Sequence, residues 1–475
     1  MTKIGDLFRA LADEFDAQVQ PAPAPPPAPE PPPAPTPPPV PAPPPPAPVP
    51  APAPSSGINI VGSTWAPNRD SSGNVLDSDW ANLPENTWFF AGTQNLKSLL
   101  SGTPYPNISG TDATGNIVAP WGGAAWDSAA QRMFIYGGGH GDTHPCETEI
   151  VGLSVSKMVF ELEIDRQPLS VTQQWNETTN AWQTSPVLYP GSNAPLKNGV
   201  PGASHEYWSC VFIPPSRWGN TRGALYVGSF ALAIYDLDTK AYTVPQWWIP
   251  GTPGHYYGSG DSVSFYDGDS VWRPHDAWYW ARNKLYGTAA TSWAPNSFGQ
   301  YDHGYASATK EIYLDAKVYV DLPERREMLN LSPAHGKYNR VRYGQAIDAA
   351  TKNWTAYIDD VTLTSANGTD HLDFNAANIQ AGAPSSALTD AGAQYDAAAN
   401  CIWIVPNIAG KPMYKLTGFD AGNVITVLKL PSSTTPLHNS LNGTYGRFRI
   451  ATIGGVKIGV RVSGHTVPAQ VIRLA

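Results

Sequence analysis

The stretch from Trp126 to Asp142, WDSAAQRMFIYGGGHGD, constrains this chain more than any other. It reads as a polar turn, a short strand and a glycine-rich exit that carries a histidine. Met133, Phe134, Ile135 and Tyr136 form a continuous apolar run of strand length, which suits a strand buried on both faces. Three glycines follow at once and allow positive φ and close approach to a neighbouring backbone. The stretch also recurs. Tyr395 to Val405 aligns with Trp126 to Tyr136 without a gap: aromatic, Asp, three small residues, an amide, then the apolar run. Val320 to Asn330 is a looser copy that leads to a second His-Gly pair, His335-Gly336.

The segment downstream repeats as well. Leu232 to Thr243 is similar to Gly344 to Thr355, and Glu149 to Glu161 is a weaker version. Each is a strand, a tight polar turn and a strand ending in or near an aromatic. Two strands followed by two more, at a period of some tens of residues, predict an all-β fold and specifically a β-propeller. The expected units are 122–164, 205–244, 275–314, 317–359, 392–430 and 447–474, which makes about six blades. Residues 57–115 would raise the count to seven if they supply more than a strand. A strand around Trp88 is expected to complete the last blade, because an open ring leaves unpaired edges. Residues 165–203 and 245–273 read as insertions, and 360–390 as a loop with little core.

Three segments organise the chain. Residues 1–20 place Ile4, Leu7, Phe8, Leu11, Phe15 and Val19 on one helical face. This predicts a short amphipathic docking or anchor helix, since a lone helix of this length is marginal in water. Asp6, Arg9, Asp13, Glu14 and Asp16 break any signal-peptide apolar core. Residues 21–56 form a Pro/Ala-rich polyproline II linker; 22 of the 48 prolines fall within 21–54. Residues 57–475 form the propeller. No apolar run is long enough to predict a membrane span. The net charge of −9 and the absence of a basic stripe give no reason to expect nucleic acid as a partner. Cys146, Cys210 and Cys401 lack metal-type spacing, so free thiols are expected.

The glycine run Gly137 to Gly139 with His140, Gly141 and Asp142, after an apolar strand and before paired strands ending in an aromatic, resembles the kelch-type, galactose-oxidase-like β-propellers. The plan of docking segment, rod and distal β domain resembles that of tailed-phage virion appendages, which implies a receptor-binding protein on a virion surface, made in the cytoplasm. The copper-radical oxidases of the propeller superfamily carry an adjacent Tyr-His pair. Here His255 precedes Tyr256 and Tyr301 stands two residues before His303, so oxidase chemistry is not expected.

Two sets of residues are candidates for chemistry. His140, Asp142, His205, His275 and His335 fall near blade inner edges, where equivalent positions converge on the axis. Imidazoles there could hold a metal or polar ligand, or serve only as hydrogen-bonding structural groups, and the second reading is preferred. No cofactor is expected. The second set comprises Trp247, Trp248, Tyr256, Tyr257 and Trp272, interleaved with aspartates in the insertion. Aromatic faces pack on the C–H faces of sugars and carboxylates accept hydrogen bonds from hydroxyls. The expected function is therefore a non-enzymatic adhesin that binds a surface glycan or receptor through the propeller and a virion or other scaffold protein through residues 1–20. A carbohydrate-active lyase or hydrolase on the same scaffold and a structural virion decoration protein are the alternatives.

Overall fold

The computed structural model describes residues 59–100, 117–118, 122–136, 149–164, 173–176, 181–184, 208, 210–227 and 233–243. It further describes 265–266, 270–273, 278–281, 284–287, 318–325, 327–332, 337–347, 354–374, 388, 390–407, 409–420, 422–440 and 443–475. All belong to the unit Ser55–Ala475. The anticipated N-terminal helix, the whole of the linker and Cys146 lie outside the described residues.

The repeat builds hairpins by a local device. Gly123–Asp127 pairs antiparallel with Arg132–Tyr136, with Trp126 opposite Met133. Asp127 Oδ1 accepts the N–H groups of Ala129 and Ala130 at 3.0 Å each. Gln131 then closes the turn at φ 50°. The copy at Gly392–Asp396 and Cys401–Val405 does the same: Asp396 accepts the Ala399 N–H, and Asn400 stands at φ 46°. Downstream, Asp236 accepts from Asp238 and Thr239, and Lys240 stands at φ 53°. A short carboxylate satisfies the N–H groups two and three residues on, which is why Asp opens each turn.

Four sheets are plain four-stranded antiparallel meanders. The first runs Gly123–Asp127, Arg132–Tyr136, Ile150–Ser154, Val159–Ile164. The second runs Val211–Ile213, Ala224–Val227, Ala233–Asp236, Ala241–Thr243. The third is Phe265–Tyr266, Ser270–Arg273, Trp278–Ala281, Lys284–Gly287, and the fourth is Val318–Leu322, Glu327–Ser332, Lys337–Ile347, Trp354–Asp360. A five-stranded sheet follows, from Gly392–Asp396 out to Val424–Lys429, with Thr362–Ser365 added in parallel. The six-stranded sheet joins Phe448–Ile453, Val456–Arg461 and Gln470–Arg473 to Trp88–Ala91, Thr64–Trp65 and Ile60–Val61. Among the described residues, the first strand of the second sheet lies against those of the first and third, the first strand of the fifth lies against those of the fourth and the last, and the turn Tyr445–Arg447 meets the first strand of the first sheet. The fold is all-β and propeller-like.

Several expectations are corrected. Six or seven equivalent units are expected from the sequence, whereas four sheets take the plain four-stranded form; the other two large sheets recruit strands from outside the repeat. Residues 57–115 supply strands to the C-terminal sheet rather than a separate unit among the described residues. The third sheet begins at Phe265, inside the stretch read as an insertion, so Trp272 lies on the strand Ser270–Arg273 opposite Tyr279 and not in a loop. Residues 360–390 contain the strand Thr362–Ser365 and the turn Asp370–Phe374, whose Phe374 is fully buried. A hairpin, Gln173–Asn176 with Ala181–Thr184, occupies part of 165–203.

The core lies between successive sheets. Met133, Ile135, Val151 and Leu153 pack with Ile458, Val460 and Val471 from the C-terminal sheet. Phe134 and Tyr136 pack with Leu225, Val227 and Tyr235 of the second sheet. Val318, Val320 and Leu329 meet Ile402, Ile404 and Ile425. Trp88, Phe448 and Ile472 close on Trp403 and Met413. Cys401 sits in this last cluster as a free buried thiol, its pKa pushed up by burial to about 11; Cys210 is also buried.

The chain end is sealed by its own beginning. Trp88–Ala91 pairs antiparallel with Gln470–Arg473, with Phe89 opposite Val471. The Trp88 indole donates to the Thr434 carbonyl at 2.7 Å. Trp88→Ala is expected to lower stability by about 3–5 kcal/mol, the usual cost of emptying a buried aromatic site, and a lowered urea midpoint would register it.

Candidate functional site

The first strands of the first, second, fourth and fifth sheets, with Arg449 of the C-terminal sheet, enclose a cavity of about 990 Å³. Side chains two apart on a strand share a face, so Ala124 and Trp126 both line it, as do Ala393 and Tyr395. These are equivalent positions of the repeat. The repeat's aromatic thus lines the cavity while the adjacent aspartate forms the turn. Trp208, Tyr319, Phe134 and Phe212 complete the aromatic lining.

The polar lining is dominated by three arginines. Arg132 crosses Gly152 on the neighbouring strand, where any Cβ would meet the guanidinium at 2.5 Å. It reaches Glu161 at 2.8 Å and Glu163 at 2.5 Å and lies 5.3 Å above the Phe134 ring. Arg222, from the second sheet, meets the same Glu163 at 2.8 Å, and that hydrogen bond is the main reason its pKa is raised. Glu163 therefore clamps the first sheet to the second beside the cavity. Arg449 is different. Its Nη2 donates to the Ala124 carbonyl at 2.8 Å, and its buried Nε has no hydrogen-bond partner. Burial lowers its pKa to about 10, against the opposing influence of Cys210 and Asp321. Gln394 accepts the Ile450 N–H through Oε1 at 2.6 Å, which orients its amide nitrogen.

Behind the wall, Trp208 meets the Tyr445 ring edge-on at 6.2 Å, and the Tyr445 hydroxyl donates to Asp390 at 2.7 Å. Burial raises the pKa of Asp390 despite that bond.

Among the expected site residues, His140, Asp142, His205, His275, His335, Trp247, Trp248, Tyr256 and Tyr257 lie outside the described residues. The sequence reading missed Trp126 and Tyr395 as lining residues, since it used them only to align the copies; their shared place in the repeat is the signal that marks them. Arg449 announces itself only as an arginine alternating with apolar residues on a short strand. Among the described residues, no group of three or more His, Cys, Asp or Glu is placed to hold a metal ion, and no helix is long and apolar enough to cross a membrane.

Comparison with family models found no match, and comparison with curated proteins found none. Solved structures similar in course include a streptogramin B lyase, at 10% identity over 82% of this chain and 98% of that one, TM-score 0.35. A mutant of the Aleuria aurantia lectin in complex with Fucalpha1-6GlcNAc covers 73% of this chain and 90% of that one, at 9% identity and TM-score 0.33. A GH43_1 enzyme from Xanthomonas citri covers 75% and 88%, at 11% identity and TM-score 0.32.

Two predictions follow from the electrostatics. Glu163→Gln removes the carboxylate shared by two arginines and is expected to cost roughly 3 kcal/mol, read as a lowered denaturation midpoint. Asp390 has its folded pKa raised above the ordinary 3.8, so folding favours its protonated form. That contribution is present below 3.8 and is lost as pH rises through the folded value. Asp390→Asn should therefore be more stable than the parent at pH 7, with the difference vanishing as pH falls toward 3.8.

Proposed function

We propose that this chain is a non-enzymatic carbohydrate-binding protein whose propeller takes a glycan at its central cavity. The observation that carries this reading is the pairing of Trp126 and Tyr395, at equivalent repeat positions, in a cavity that also presents Arg449, Gln394 and Asp321. Aromatic faces suit the C–H faces of a sugar ring, and the charged and amide groups suit its hydroxyls. The volume is at the upper end of the ~300–1,000 Å³ typical of small-molecule sites, enough for an oligosaccharide segment.

Binding is favoured over hydrolysis because two of the repeat's aspartates are held by hydrogen bonds, which leaves Asp321 of the third copy in the cavity wall rather than the carboxylate pair that glycoside hydrolysis uses. Asp127 holds two turn amides, and Asp396 holds the Ala399 amide, the Trp403 indole and the Lys457 ammonium. Neither carboxylate is placed to act as a general acid or base.

The remaining features extend this reading. The propeller is of kelch type. Residues 21–56 act as a rod and 1–20 as a docking helix, and together they display the ring on a phage-like particle for attachment to a host surface. Trp247, Trp248, Tyr256, Tyr257 and Trp272 provide contacts to a longer glycan. The histidine set, His140, His205, His275 and His335 with Asp142, is structural.

Size-exclusion chromatography of the full chain mixed with bacterial surface polysaccharides tests the reading. Co-elution with polymer of unchanged length is the expected result; shortened polymer would mean a carbohydrate-active enzyme, and no co-elution would mean a different partner. Trp126→Ala should weaken binding about 10- to 100-fold, as loss of about 1.5–3 kcal/mol of aromatic contact implies, measured at a temperature where the variant is folded, since Trp126 also packs against the core and its loss lowers the unfolding temperature.

A further inference from the structure

The three arginines of the cavity are not equivalent. Arg132 and Arg222 are neutralised by Glu161 and Glu163. Among the described residues no carboxylate forms an ion pair with Arg449. Its one hydrogen bond goes to the neutral carbonyl of Ala124, and its Nε is buried without a partner. The group is held in place by its surroundings: a Cβ on Gly446 would come within 3.1 Å of Arg449 Nη2 and 2.7 Å of the Ala124 carbonyl oxygen. A cation is thus fixed in the cavity wall with most of its donors unused.

We propose that the cavity is specific for an acidic saccharide, whose sugar-ring carboxylate is received by the Arg449 guanidinium. The inference rests on the glycan-binding reading above. A guanidinium edge offers two parallel N–H donors that match the two oxygens of a carboxylate. With a neutral sugar that desolvated charge has only the field of Asp321 and no hydrogen-bonded counterion, whereas a uronic- or ulosonic-acid residue supplies one. Asp321 lines the same cavity and influences Arg449 electrostatically. Its negative charge opposes a dianion more than a monoanion, so it selects a carboxylate over a phosphate ester. Trp126 and Tyr395 then pack on the ring that bears the carboxylate. Burial brings the Arg449 pKa down only to about 10, so the side chain stays charged at neutral pH.

The test uses the full chain and a panel of bacterial polysaccharides. Uronate-bearing polymers are compared with the same polymers after chemical reduction of their carboxyl groups to alcohols, alongside neutral and phosphate-bearing polymers. The expected result is binding to the uronate-bearing polymers, at least tenfold weaker binding after carboxyl reduction, and loss of that preference in Arg449→Gln. The comparison of native with reduced polymer needs no variant, so it decides even if Arg449→Gln fails to fold. Equal binding of native and reduced polymers, or binding only to neutral or phosphate-bearing polymers, would overturn the acidic specificity and leave the glycan reading standing. Binding to no polymer would overturn both.

Discussion

The hydrogen-bonded pairing of Trp88–Ala91 with Gln470–Arg473 is the interaction on which the rest of the structure depends. Without it the C-terminal sheet would stop at an open edge, and an open edge is a template for pairing with other chains. With it, strands nearly four hundred residues apart in sequence share one sheet, and the interior strands are held around a common space. The seam is reinforced from within. Arg447 donates to the carbonyls of Gly122, Gly443 and Val462 and to the Ser440 hydroxyl. Arg461 donates to the carbonyls of His438 and Asn407 and to the Thr444 hydroxyl. Both side chains are fully buried, and burial pushes each pKa down to about 9. Two buried cations surrounded by neutral acceptors tie the last sheet to the loop before it and to the first sheet.

The repeat unit divides its labour by position. Its aspartate makes the turn, its apolar run fills the space between sheets, and its aromatic lines the cavity. Small residues on the first strands allow close approach: a Cβ on Gly392 would meet Thr444 and Phe448 at 2.6 and 2.7 Å. The cavity is therefore a consequence of the same periodicity that makes the sheets. Arg449 and Trp208, which the repeat does not supply, complete the lining.

Much of this fold is legible in the sequence wherever the cause is local. The hairpins at Asp127, Asp236 and Asp396 follow from an aspartate, a short polar turn and an apolar strand, all within a dozen residues. The need for a closing strand near Trp88 follows from the edge argument. The start of the third sheet escapes notice because Phe265–Tyr266 is a two-residue strand amid glycines and aspartates. Thr362–Ser365 escapes because its partner, Val424–Lys429, lies some sixty residues on and pairs in parallel. The cavity escapes for a similar reason. No local pattern tells that Arg449 lies beside Ala124, or that the Arg222 guanidinium and Arg132 share Glu163.

Amide hydrogen exchange of the full chain, with and without a bound polysaccharide, tests the central claim most directly. If the glycan sits at the axis, exchange slows on binding at 124–131, 393–396 and 449–450, the strands and turn that line the cavity. Protection confined to 245–260, with those interior segments unchanged, would contradict the account and move the site to the outer loops.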